Sequence, residues 1–149
     1  MSAIKAVQQA IFTRLVGDAT LTGMLALRIL TTAPAILNDV AEGQDYPFVW
    51  ITGARERAEH TFGGPSLGKG WIVMVPIFSM SRYAGDLEAL TIHNRIVALL
   101  DFYELPVTGF AHAICQYAPG GDVTGQVLTR DVEKVKTHQV AAEFQVTVS

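Results

Sequence analysis

Cysteine is almost missing from this chain. Cys115 is the one cysteine in 149 residues, so no internal disulfide can form and no cysteine cage can hold a metal. That usage fits a reducing compartment. Charge is scarce as well: Lys, Arg, Asp and Glu make up 17% of the residues, where a soluble domain carries about 25%. The 11 basic and 14 acidic residues leave a formal charge of -3, with no Lys/Arg cluster. A run of phosphates needs such a cluster to neutralise it, so tight nucleic-acid binding is not expected. Long apolar runs are missing too. Residues 1–15 are broken by Lys5, Gln8, Gln9 and Arg14, unlike a signal peptide, and no segment reaches the roughly 18 apolar residues of a membrane span. Nothing directs the chain out of the cytoplasm or into a membrane.

What is present is apolar. Half of the residues are hydrophobic, which rules out disorder. A small domain with this surplus and so little charge has more apolar surface than its own core can take, so a partner or copies of itself are expected to cover the rest. The length suits one domain over 1–149, with no repeat, low-complexity tract or linker.

Periodicity sets the elements. Ile4, Val7, Ile11 and Leu15 recur three or four apart with polar residues between them, which predicts an amphipathic helix over 3–16. Gly17 ends it, and Asp18 is placed to cap a short turn carrying Leu21, Met24 and Leu25. Residues 28–46 scatter Pro34, Asn38, Gly43 and Asp45 among apolar residues, which reads as a long connection. The aromatic and β-branched run 46–52 predicts a strand. Residues 54–70, polar from Arg55 to His60 and glycine-rich from Gly63 to Gly70, read as a loop. Residues 71–80 are apolar on both alternation parities and predict a strand covered on both faces, with Pro76 at an edge or a bulge. Between 83 and 101 a helical wheel gathers Ala89, Leu90, Ile92, Ile96, Val97, Leu99 and Leu100 on one arc, opposite Glu88, Thr91, Asn94, Arg95 and Asp101. Strands are expected over 110–117, 123–135 and 140–148, with a turn at 119–122. The sum is an α+β fold: a largely antiparallel sheet with two main helices packed on one face.

No motif for chemistry survives inspection. Gly63 to Lys69 matches G-x-x-x-x-G-K, but Gly70 stands where a Mg²⁺-nucleotide site needs Ser or Thr, polar residues precede it, and a strand follows where a helix is required. Lys69 is given no nucleotide role. His60, His93, His112 and His138 are 33, 19 and 26 positions apart, which is no metal-ligand spacing. His93 falls within the apolar arc of the second long helix and reads as a core histidine. Cys115, between Ile114 and Gln116, reads as a buried small hydrophobe. Ser66 and Ser79 lack the G-x-S-x-G elbow. Asp86 and Glu88 point to different sides of a helix and serve as charges at its N-terminus. The sequence therefore nominates no catalytic, cofactor-binding or metal-binding residue, and no cofactor.

Five pieces taken in order do form a pattern. They are the N-terminal helix; the Asp18-x-x-Leu21 segment running to Leu27-Arg28-Ile29; Tyr46-Pro47-Phe48-Val49-Trp50-Ile51; Ile77-Phe78-Ser79-Met80-Ser81-Arg82 running into the helix over 83–101; and His138-Gln139-Val140-Ala141-Ala142-Glu143-Phe144. Together they are similar to the small tail-completion, or tail-terminator, proteins of long-tailed phages, prophages and gene transfer agents. The resemblance implies a structural virion protein and not an enzyme: a ring-forming α+β subunit, commonly a hexamer, at the head-proximal end of the tail tube. Its implied partners are further copies of itself, the major tail tube protein and the head-tail connector, with DNA passing through the lumen without specific binding. Such a subunit is assembled in the bacterial cytoplasm and ends in the virion tail. Residues 28–46 and 54–70 are the expected contact loops. Two other readings stand beside it: another head-tail connector or minor tail component, and a small cytoplasmic enzyme using His93 or His138.

Overall fold

The computed structural model describes residues 3–26, 28–31, 36–37, 40–41, 47–60, 69–82, 87–118, 123–130 and 135–149. Helix α1, Ile4–Val16, turns Val7, Ala10, Ile11 and Leu15 inward, as its three-and-four spacing requires. Gly17 closes it in a right-handed conformation, φ -72°, so the stop does not use glycine's left-handed freedom. Left-handed backbone occurs instead at Ala26, φ 47°, and Phe102, φ 53°.

Asp18 caps α2, Ala19–Leu25, by accepting the Leu21 N–H at 2.8 Å. The same carboxylate receives Arg95 of α3, Leu87–Leu100, on both oxygens, with Nε at 3.0 Å and Nη2 at 2.6 Å. One side chain thus starts a helix and ties it to another. Helix α3 buries Ala89, Ile92, His93, Ile96, Leu99 and Leu100. The Arg95 hydrogen bonds, helped by the Leu21 amide and opposed by burial, hold the Asp18 carboxyl below its ordinary 3.8. A depressed folded value means that this stabilisation is present above the ordinary value and is lost as pH falls through the folded one. Asp18→Asn, which keeps a cap acceptor but removes the charge, is expected to flatten the acid limb of a thermal-unfolding profile taken below about pH 4. Asp18→Ala is expected to cost a further ~1 kcal/mol at neutral pH for the lost cap. Identical acid limbs in wild type and Asp18→Asn would contradict the pairing.

Three short strands, β1 (Ile29–Leu30), β2 (Ile36–Leu37) and β3 (Val40–Ala41), fall where a connection was expected, and β2 pairs with β3. The remaining strands are β4 (Phe48–Ile51), β5 (Arg55–His60), β6 (Lys69–Ser81), β7 (Tyr103–Glu104), β8 (Ala113–Tyr117), β9 (Val123–Arg130) and β10 (Val135–Val148). The sheet runs β1-β4-β6-β10-β8-β7, with β5 also on β6 and β9 also on β10. Long strands β6 and β10 pair antiparallel from Trp71↔Val148 to Ser81↔His138 and form its spine. Apart from the parallel β1–β4 pair, the described pairings are antiparallel.

The expected loop over 54–70 needs correction. Arg55–His60 is a strand despite its polar composition, because its backbone completes a ladder with β6 while its charges find separate outlets. Glu56 turns inward to accept the Ala3 N–H at 2.9 Å, and exposed Arg55 pairs with Glu143 of β10 at 3.1 Å. Of that stretch, residues 61–68 lie outside the described residues, and Lys69 and Gly70 open β6. Asp86, the 119–122 turn and most of 32–46 also lie outside them.

Pro76 sits inside central strand β6, opposite a bulge. Ile51 faces Ile77 and Arg55 faces Met74, so four steps of chain match three of β6. Thr52 donates its N–H to the Pro76 carbonyl at 3.0 Å, but proline has no N–H to return. The Thr52 carbonyl is met instead by Gln8 Nε2 of α1 at 2.5 Å.

The core lies between the helices and one sheet face, where Val49, Ile51, Val73, Val75, Ile77, Ala142, Phe144, Val146 and Val148 meet α1, α2 and α3. On the other face Phe48 and Met80 are buried among Leu30, Trp50 and Phe78. Trp50 stacks on Phe78 at 5.7 Å between ring centres.

Candidate interaction surface

His93 is buried on α3 and packs edge-on against Tyr117, 6.0 Å between ring centres. His112 is exposed, 3.4 Å from Glu104. His138 is buried on β10, directly across from Ser81, and its Nδ1 has no hydrogen-bond partner. His60 belongs to β5. Ser81 and Ser79 are buried, and Ser81 gives its hydroxyl to Glu88 at 2.6 Å. Glu88 therefore ties the start of α3 to the end of β6. A serine nucleophile must be open to substrate and hydrogen-bonded to its base; Ser81 is sealed and bonded to a carboxylate. Burial, then the nearby Asp101 charge, pushes the Cys115 thiol up to about 12, which withholds the reactive thiolate at neutral pH. Among the described residues, no three His, Cys, Asp or Glu side chains converge as a metal site would need. No helix among them is long and apolar enough to cross a membrane.

What the fold does build is a surface. Past α3, Asp101 accepts the Tyr117 N–H at 2.9 Å and the left-handed turn at Phe102 sends the chain into β7. Tyr103 and residues 106–109 then stand beside one flank of α1. Between them lies a groove of about 870 Å³ lined by Lys5, Ala6, Gln9, Ala10, Thr13, Arg14, Gly17, Tyr103, Pro106, Thr108 and Gly109. Arg14 lies over the Tyr103 ring, 3.9 Å from its centre, and donates to the Leu99 carbonyl at 3.3 Å. This pairing fixes the groove wall, since a guanidinium over an aromatic face is held by charge and packing together. Phe102, next in chain to the groove, is 75% exposed, and Leu87 at the other end of α3 is 68% exposed.

The sequence alone assigns no contact to this flank of α1 or to residues 102–109. A trace was there: Ala6, Ala10, Thr13 and Gly17 repeat at four, three and four positions, which leaves a shallow helix face. The contact regions it did nominate are largely β5 and the short strands β1, β2 and β3 where described.

No protein-family model matches the sequence, and no curated protein is significantly similar to it. Among solved structures, a chain from the virion of a native gene transfer agent particle shares the fold: 99% of this chain and 97% of that one superpose with a TM-score of 0.72, at 16% sequence identity.

Proposed function

We propose that this chain is a structural component of a phage-like particle, and within it the tail terminator. In this reading 1–149 is a single domain that forms a ring, a hexamer as the resemblance to tail-terminator proteins implies, on the head-proximal end of the tail tube. The ring stops tube growth and offers its far face to the head connector, while DNA crosses its lumen without specific contacts. The observation that carries the reading is the fold shared over nearly both whole chains with a virion protein. The order of residue patterns along the sequence supports the tail position. The charge deficit supports assembly, because apolar surface left over from the core needs a cover. A net charge of -3 without a basic cluster suits a channel that must not retain DNA.

The test is electron microscopy of a particle-producing strain lacking the gene. Unjoined heads and tails, with tubes of uncontrolled length, are the expected result. Attached tails of normal length would exclude the terminator role. Tubes of normal length that fail to join would move the chain to the connector, the second reading that the shared virion fold allows.

A further inference from the structure

We propose that the groove between α1 and residues 103–109 seats the Leu87 end of α3 from a second copy of this chain, so that copies join head to tail. The inference rests on the ring reading above and names its interface. The floor of the groove is apolar, from Ala6, Ala10, Tyr103 and Pro106, and among its described lining the charged residues are Lys5 and Arg14, both basic. At the start of α3, exposed Leu87 borders a depression of about 350 Å³ shared with Met24, Glu88 and Thr91, where the charged residue is acidic. The basic, apolar groove and exposed Leu87 beside acidic Glu88 complement each other in sign, and opposite potentials set register and partner choice.

Their placement matters as much as their chemistry. Leu87 opens α3 and Tyr103 follows its last turn, so about 20 Å of helix separates the two patches at 1.5 Å per residue. Each copy would present one patch to each neighbour. A contact of this kind is heterologous: it closes into a ring when the rotation allows, whereas a twofold contact would pair like patches and stop at a dimer. Phe102, next in chain to Tyr103 of the groove wall, adds exposed apolar surface.

The experiment uses one variant on each patch. Gln9→Trp fills the groove from an exposed helix position, and Leu87→Lys places a cation where it would meet Lys5 and Arg14. Both sites are on the surface, and far-UV circular dichroism with thermal unfolding checks that each variant folds; Thr13→Trp and Thr91→Lys are the second pair. Sedimentation velocity is then run on the wild type, on each variant and on an equimolar mixture, alone and with assembled tail tubes. Wild type is expected to form a closed ring and each variant to associate at least tenfold more weakly. The mixture should give a 1:1 dimer and nothing larger, because it holds one intact groove and one intact Leu87 end. A variant that assembles like wild type, or a mixture that stays monomeric, overturns the interface while the ring stands. A wild type that remains monomeric even with tubes overturns the ring reading itself, and the interface with it.

Discussion

Phe144→Ala is expected to destabilise the protein by about 3–5 kcal/mol, the usual range for emptying an aromatic site in a core. Phe144 is fully buried at the middle of β10, facing Val75 of β6 on one side and Tyr117 of β8 on the other. Its ring packs against Tyr117 at 5.6 Å, and Tyr117 in turn meets His93 of α3. A cavity there would loosen both halves of the sheet and the helix above it, and neither spine strand can move in without breaking its own ladder. At a few degrees per kcal/mol for a chain of this length, the melting temperature should fall by about 10 °C or more. Thr147→Ala, at an exposed position of the same strand, should stay within about 0.5 kcal/mol of wild type. Denaturant titration of the three proteins decides: a loss below about 1 kcal/mol at Phe144 would mean that β10 is not the spine of the sheet.

Gln8→Leu is expected to cost about 1–3 kcal/mol, the penalty for leaving a buried carbonyl without a donor. The carbonyl belongs to Thr52, which is 8% exposed, and it lacks a ladder partner because Pro76 stands opposite. Gln8 reaches across from α1 to supply the missing N–H. This account makes a sharper demand than a single loss. In a Pro76→Val background the strand regains its own N–H, so the cost of Gln8→Leu should shrink below about 0.5 kcal/mol, as a double-mutant cycle reads it. Equal costs in the two backgrounds would show that Gln8 does not substitute for the proline's absent donor.

The sequence by itself determined the parts whose signal is local. Spacing of Ile4, Val7, Ile11 and Leu15 is enough for α1, because a helix repeats every 3.6 residues wherever it packs. Asp18 was legible as a cap for the same reason: its acceptor serves an N–H three residues on. The alternation of Val140, Ala142, Phe144, Val146 and Val148, and the bulge that Pro76 demands nearby, likewise need no knowledge of neighbours, and they are enough for an α+β class.

Tertiary structure decided whatever depends on residues far apart in the chain. Arg55–His60 is a strand because β6 offers it a ladder, and no local pattern outweighs its four charged residues. Gln8 looks like one more solvated side chain until Thr52, 44 positions away, arrives with an unmet carbonyl. Arg95 was read as a surface charge and proves to be the partner of Asp18 across 77 positions. The groove follows the same rule. One wall is a helix face whose small residues are visible in the sequence, but the other is a turn after α3, set against it by the left-handed backbone of Phe102. A site made of two walls exists only once the fold has brought them together, since neither wall is concave alone.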